Sequence, residues 1–256
     1  MPTWDSSQYL RFARERTQPA IDLAARIQLS APARVIDLGC GPGNSTAVLA
    51  QRWPQAQVEG LDSSESMLVA ACRDFPQLRW QAGDIASWRS NEPYDLVYAN
   101  ASLQWVPHHD TVLPHLLSQV KPGGALAFQV PANQDAPPHR LMRELGGSDR
   151  WKTRFRVAPR EWQVATPEFY YDVLSAHAAQ VELWTTDYIH VLPDAAAIVE
   201  WYRGTGLRPW LDALSTDEER NDFLAEYGSL ISSVYPIRTD GRVLFPFHRL
   251  FAIAYR

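Results

Sequence analysis

The sequence predicts an α/β fold, a mostly parallel sheet flanked by helices, with a mostly helical cap built from insertions. Three observations lead there. The first half alternates short apolar runs with helical patterns, as βα units do. A glycine-rich turn, Gly39 to Gly43, separates the first strand from its helix. After Val130 the rhythm breaks, and Pro131, Pro137, Pro138, Gly146, Gly147, Pro159 and Pro167 crowd a stretch that fits no regular βα unit. At 256 residues the chain has room for one large domain or a core with one modest elaboration.

Each element has a local reason. Arg34 to Leu38 is an apolar run that reads as a buried strand, and Asn44 to Trp53 is a helix ended by Pro54. Val58 to Leu61 is the next strand, followed by a helix from about Ser64 to Phe75 with Ser63 as its N-cap. Leu78 to Ala82 and Tyr94 to Ala99 supply the third and fourth strands. Thr111 to Val120 is a helix leading into the turn Lys121-Pro122-Gly123-Gly124, and Ala125 to Val130 is the fifth strand. Past the proline-rich stretch come a helix from about Glu168 to Ala178 and a strand from Val181 to Val191. Asp194 caps a short helix to Arg203 that stops at Gly204 and Gly206. Thr216 and Glu219 form a capping box for a helix whose apolar face is Phe223, Tyr227, Leu230, Ile231 and Val234, stopped by Pro236. Leu244 to Tyr255 is a last strand able to pair with the one near residue 185. The core is therefore expected over 1–130, 168–193 and 241–256, and the cap over 131–167 and 194–240.

Hydrophobic residues at 46% and charged residues at 21% are globular proportions. The 24 basic and 29 acidic residues leave a formal charge of -5, which gives no general attraction to nucleic acid or an anionic membrane. Only Lys121 and Lys152 are lysines, so 22 of the basic residues are arginine. Codon bias explains such an excess in bulk, while bidentate carboxylate recognition is what arginine does best. Cys40 and Cys72 make no disulfide framework, Met1 to Leu10 lacks the pattern of a signal peptide, and no apolar run reaches the roughly 18 residues of a membrane span. The expectation is a cytoplasmic monomer.

Val35 to Ser45 is a strand feeding a glycine-rich turn and a helix, the context a nucleotide-binding loop requires. Its spacing is G-x-G-x-G, whereas the dinucleotide fingerprint places the third glycine one residue later. Asp37 precedes the first glycine by two residues. A carboxylate there offers a pyrophosphate nothing, but it suits a ligand bearing an ammonium or sulfonium group. Asp62 ends the second strand, where it can accept from both ribose hydroxyls. Asp84 ends the third and can accept from an adenine amino group, with Ile85 against the ring.

The set Asp37-x-Gly39-x-Gly41-x-Gly43, Asp62 and Asp84 resembles the class I S-adenosylmethionine-dependent methyltransferases over about residues 34–190 and the C-terminal strand. The resemblance implies a Rossmann-like, seven-stranded sheet with an antiparallel last strand, and S-adenosyl-L-methionine as cofactor with S-adenosyl-L-homocysteine as product. It places Gly39 and Gly41 beside the methionine portion, Asp62 at the ribose, and Asp84 and Ile85 at the adenine. The cofactor set it suggests adds Asp37, Cys40, Asn44, Ser63 and Asn100. Arg16 either pairs with the methionine carboxylate or lies on a solvated helix face.

Further blocks, Asn100-Ala101-Ser102-Leu103-Gln104-Trp105, Tyr170-Tyr171-Asp172-Val173-Leu174, Thr205-Gly206-Leu207-Arg208-Pro209-Trp210 and the opening Trp4-x-x-x-x-Tyr9-Leu10-x-Phe12, resemble the trans-aconitate methyltransferases. That family makes a monomethyl ester of a tricarboxylate. An ionised carboxylate, titrating near pH 4, is itself the nucleophile, so no catalytic base is expected and the chain supplies positioning only. Arg208 is the expected cationic partner, fixed in an extended backbone by the following proline. Gln104 is a donor to a carboxylate, Trp105 a pocket wall or a core residue, and Tyr9, Tyr171 and Trp4 further substrate contacts. His108, His109 and His190 have no partners at metal-ligand spacing, so no metal is expected. His139 to Arg160 holds seven basic residues against two acidic ones, which suggests a positively charged mouth to the site. A C- or N-methyltransferase for another metabolite, a nicotinamide-dependent oxidoreductase and a catalytically silent binding module are the alternatives.

Overall fold

Strand β1, Arg34–Leu38, is buried on both faces from Val35 onward, which is why it reads as a continuous apolar run rather than an alternating one. The structure is a computed structural model and describes residues 13–155 and 162–256. Helix α1 (Ala13–Arg26) precedes β1, and α2 (Asn44–Arg52), β2 (Gln57–Asp62), α3 (Glu65–Asp74), β3 (Arg79–Ala82) and β4 (Tyr94–Asn100) follow it. Next come a short 3₁₀ turn at Leu103–Trp105, α4 (His109–Ser118), β5 (Val120–Pro131) and α5 (Pro137–Gly146). The chain closes with α6 (Pro167–Ser175), β6 (Gln180–Leu192), α7 (Ala195–Arg203), α8 (Arg208–Asp212), α9 (Asp217–Val234) and β7 (Val243–Tyr255).

The seven strands lie in the order β3-β2-β1-β4-β5-β7-β6. Strands β1 to β5 pair in parallel, and β7 runs antiparallel to β5 from Ala125↔Tyr255 to Pro131↔Arg249. This is the class I methyltransferase sheet that the resemblance implies. The chain order reverses between β1 and β4, and ligands of open α/β sheets bind beyond the strand ends at such a point.

Two compact units are present. The first contains Gln163–Thr186, Arg249–Arg256 and the described part of Met1–Pro131; the second contains Asp187–His248 and the described part of Ala132–Trp162. Residues 187–193 and 241–248, read from sequence with the core, and 163–167, read with the cap, thus fall in the opposite units. The second unit has an aromatic core of its own. Trp151 and Phe155 meet Phe223 edge-on, Trp210 stacks on Phe223, and Trp201, Phe245 and Phe247 enclose His190.

Several local readings change. The helix after β2 takes Ser64, not Ser63, as its N-cap, because the Asp62 carboxylate accepts from the Ser64 N–H at 2.8 Å and turns the chain there. Lys121 to Gly124 is not a turn but the bulged start of β5: Val120 pairs with Tyr94, the register then shifts, and Gly123 and Gly124 are tied to Arg256. The proline-rich stretch contains α5, since Pro137 and Pro138 occupy first-turn positions where a missing N–H costs nothing. The face of α9 is Phe223, Tyr227 and Ile231, with Val234 turned outward. The caps at Asp194 and Thr216 form as expected, accepting from Ala197 and Glu219 N–H groups at 2.9 and 3.1 Å.

Candidate active site

The turn from β1 into α2 is shaped by three glycines with positive φ, and each needs to be glycine for a different reason. At Gly39 (φ 71°) a Cβ would lie 2.3 Å from Ser102 Cβ, so the loop after β4 fills that side. A Cβ on Gly43 (φ 94°), at the start of α2, would strike Trp80 and Phe75 at 2.7 and 2.9 Å. At Gly41 (φ 55°) no other described residue comes within 4 Å. The described residues therefore pack against the outer two glycines and not against the middle one. A small cleft runs beside this loop, lined by Arg16, Thr17, Gly39, Cys40, Pro42, Asn44, Ser45 and Asn100.

Two carboxylates hold the loop in place. Asp37 is fully buried, and its Oδ2 accepts from Ser45 Oγ at 2.6 Å and Thr46 Oγ1 at 2.7 Å, which ties the end of β1 to the first turn of α2. Its Oδ1 is buried without a hydrogen-bond partner. Burial pushes this carboxyl up to about 6, against the two hydroxyl bonds that lower it. Asp62 accepts from the Ser64 N–H through Oδ1 and from the Gly41 N–H through Oδ2, both at 2.8 Å. Burial raises its pKa as well, opposed by the N–H groups of Ser64, Gly41 and Ser63.

The predicted cofactor residues converge unevenly. Gly39, Cys40, Asn44, Asn100 and Arg16 line one cleft. Arg16 is 8% exposed, so it does not lie on a solvated helix face; the buried side of α1 carries it beside the glycine loop. Ile85 is buried, with its Cδ1 3.3 Å from where a Gly39 Cβ would be. Asp84 is exposed and closes a turn by accepting from the Ala86 N–H, and Ser63 is exposed too. Cys40 is buried, which raises its thiol pKa well above the usual range and keeps it un-ionised.

Gln104 is held by two hydrogen bonds. Its Nε2 donates to the Ala101 carbonyl at 2.7 Å, its main-chain oxygen accepts from the Gln163 N–H at 2.8 Å, and its buried Oε1 has no partner. Trp105 beside it is half-buried. The 3₁₀ turn that carries both is anchored by His109. The Leu103 carbonyl can only accept, so His109 Nε2 carries the proton and donates to it at 2.9 Å. His109 Nδ1 then accepts from the Tyr170 hydroxyl at 2.9 Å. Burial lowers the His109 pKa and keeps the ring neutral. Tyr171 is 52% exposed, whereas Tyr170 is fully buried, so the hydroxyl expected to face inward belongs to the neighbouring residue.

In the second unit Arg208 departs from its predicted backbone. It begins α8 rather than being extended, because with Pro209 next to it in the first turn the helix forgoes an N–H that needed no partner. Its side chain is 19% exposed and its Nε lies 3.5 Å from Asp212. The surrounding block is fixed by contact with α5: a Cβ on Gly206 would meet His139 at 3.1 Å, and one on Gly146 would meet Trp210 at 2.0 Å. Each described basic residue of the segment expected to form a positive mouth has an acidic partner. Arg154 pairs with Glu219, Arg150 with Asp222 and Glu226, Lys152 with Asp149, Arg140 with Glu144 and Arg143 with Asp135. Two of these five, Arg150 and Arg154, pair with acids of α9.

Trp4 and Tyr9, and Arg156 and Arg160 of the basic segment, lie outside the described residues. Thr17 and Ser45 line the cleft and Ser102, His109 and Tyr170 brace the loops beside it; Ser45, Ser102 and Tyr170 fall within the motif blocks, but nothing local sets them apart from their neighbours there. Among the described residues no three His, Cys, Asp or Glu side chains converge as a metal site would need, and no helix is long and apolar enough to cross a membrane.

The sequence profile of a methyltransferase domain matches residues 9–211. The chain is 54% identical over 256 residues, all of both chains, to a trans-aconitate 2-methyltransferase of Azoarcus sp. strain BH72. It is 48% identical to one of Methylobacterium nodulans, covering 100% of this chain and 99% of that one. Among solved structures, a phosphoethanolamine N-methyltransferase of Haemonchus contortus in complex with S-adenosylhomocysteine superposes with a TM-score of 0.57 at 14% identity, over 97% of this chain and 57% of that chain.

Proposed function

The chain belongs to the methyltransferase-domain family and, within it, to the trans-aconitate 2-methyltransferases, and on that premise we propose that it is a carboxyl O-methyltransferase forming a monomethyl ester of trans-aconitate or a close tricarboxylate. The observation that carries this reading is the 54% identity over the whole of both chains. The cleft supports it. No other described residue packs against Gly41, Arg16 is a buried cation lining the cleft with Gly39 and suited to the methionine carboxylate, and Asp37 keeps an unpartnered oxygen beneath the loop. These residues fit an S-adenosylmethionine whose sulfonium and ammonium groups are cationic and whose carboxylate is anionic.

When bound, this cofactor supplies an electrophilic methyl carbon on sulfur. What the chain contributes is positioning. Gly39 and Gly41 give the ligand a close backbone approach. Asp62, oriented by the Gly41 and Ser64 N–H groups, retains acceptor capacity for ribose hydroxyls, and Ile85 offers an apolar wall for the adenine, with Asp84 at its rim. In this reading Cys40, Asn44, Ser63 and Asn100 complete the cofactor set, and Gln104, Trp105 and Arg208 serve the acid, with Trp4, Tyr9 and Tyr171 as further candidates. A carboxylate is already ionised at neutral pH, so no residue has to remove a proton. We assign the second unit the role of substrate cap, and the protein to the cytoplasm as a monomer.

The test is incubation with methyl-labelled S-adenosylmethionine and a panel of di- and tricarboxylates, followed by assay of base-labile methyl ester. Label appearing in trans-aconitate ester is the expected result. Cofactor binding with no ester from any acid would overturn the assignment.

Arg208→Ala is expected to raise KM for the acid by roughly 10- to 150-fold, the effect of losing a charged hydrogen bond of about 1.5–3 kcal/mol, with cofactor affinity unchanged. Steady-state kinetics beside calorimetry with S-adenosylhomocysteine make the comparison. Parent-like KM would remove Arg208 from the substrate set.

A further inference from the structure

Asn100 lines the cleft at the end of β4, and a chain of buried side chains runs from it across the sheet. Its Oδ1 accepts from Gln129 Nε2 at 3.2 Å, and Gln129 Oε1 accepts from Arg249 Nη1 at 3.0 Å. Gln129 and Arg249 are buried, on β5 and β7. The register makes this possible: Asn100 pairs directly with Gln129, and Arg249, opposite Pro131, is a diagonal neighbour on the same face. The main chain follows the same route, the Ala101 N–H donating to the Gln129 carbonyl at 3.0 Å. Ala101 sits at φ 53°, an uncommon conformation for a residue with a side chain, so the backbone beside Asn100 is tightly constrained.

The direction of the chain is not arbitrary. An amide can be turned end for end, but a guanidinium only donates. Arg249 therefore fixes Gln129 with its oxygen toward β7, Gln129 must donate to Asn100, and Asn100 must keep its own NH₂ group for a partner other than Gln129. We propose that Gln129 and Arg249 are positioning residues that commit Asn100 to act as a hydrogen-bond donor to a ligand carboxylate in this cleft. The inference rests on the methyltransferase reading, and the carboxylate is either that of the cofactor's aminoacyl end or that of the acceptor acid.

Gln129→Glu is the discriminating substitution. The new carboxylate keeps the shape and pairs with Arg249, but it cannot donate. Asn100 then has to donate to it and present Oδ1, an acceptor, to the cleft. The measurements are S-adenosylhomocysteine affinity by calorimetry, KM and kcat for trans-aconitate, and melting temperature. A loss of about tenfold or more in cofactor affinity identifies the aminoacyl carboxylate as the partner. The same loss in KM, with cofactor affinity retained, identifies the acid. Arg249→Lys, which still only donates, is expected to stay within about threefold of the parent, and Arg249→Gln, which leaves the direction open, to lose activity. Parent-like values for Gln129→Glu in both assays, or equal losses for the two Arg249 variants, would overturn the proposal. If Gln129→Glu does not fold, the Arg249 pair carries the test. Should the parent methylate no acid, the assignment of function fails and the acceptor acid is removed as a partner; only the cofactor's aminoacyl carboxylate is then left, and unchanged cofactor affinity overturns the proposal.

Discussion

Gly41→Ala is expected to remove cofactor binding while leaving the fold close to intact, and Gly39→Ala to do the reverse in order of severity, damaging the fold first. The two residues lie two positions apart in one loop and both have positive φ. At Gly41 an added methyl group meets no atom of another described residue within 4 Å, so the expected loss of stability is the conformational strain, about 1–2 kcal/mol. The methyl group instead projects into the space proposed for the ligand. At Gly39 it would sit 2.3 Å from Ser102 Cβ and 2.9 Å from its Oγ, whose hydroxyl bonds the Leu38 carbonyl at 2.7 Å. Overpacking of about 1–3 kcal/mol adds to the strain there. A fall in melting temperature of about 5–15 °C is expected for Gly39→Ala and about 2–8 °C for Gly41→Ala, with S-adenosylhomocysteine affinity reduced at least tenfold in the latter. An alanine at 41 that binds the cofactor as the parent does would show that the ligand does not approach this face.

Asp37→Asn is expected to abolish a pH dependence of stability between about pH 4 and 6. The buried carboxyl titrates at about 6 in the folded protein against 3.8 as its ordinary value. The folded state therefore holds the proton more tightly than the unfolded one, and ionising Asp37 costs stability. That cost is absent below about pH 4, grows as the pH rises, and is complete above about 6, where it amounts to about 3 kcal/mol. An asparagine can still accept from Ser45 and Thr46 through its carbonyl but does not titrate. The difference in melting temperature between parent and variant should therefore change across this window and be constant on either side; a constant difference throughout would mean that Asp37 does not titrate there. Because the ionised form is the one that suits a cationic ligand, the same substitution is expected to weaken cofactor binding at pH 7.5.

Much of the fold was legible because its determinants are local. The apolar run of β1, the caps at Asp194 and Thr216, and the glycine spacing at 39, 41 and 43 each act within a few residues, and the structure forms them where the sequence places them. Local signals with two readings went the other way. Pro137 and Pro138 break a helix interior but start one equally well, and only the packing of α5 against its neighbours selects the second use. Pro209 has the same ambiguity, and it reversed the backbone expected for Arg208. In α6, Tyr170 and Tyr171 are adjacent and chemically alike; the burial of Leu174 one turn on decides that Tyr170 faces inward.

The sequence by itself determined the fold class, the glycine loop and the acids at the strand ends, because βα periodicity and turn geometry are written in neighbouring residues. Only the tertiary structure decided which glycines of the loop the described residues pack against, that Arg16 is buried beside it, and that Arg150 and Arg154 of the basic segment pair with acids of α9. It alone brings Arg249 to Gln129, 120 positions apart in the chain. Hydrogen bonds and ion pairs act over a few ångströms of space, and no local pattern records which distant residues the sheet will bring within that range.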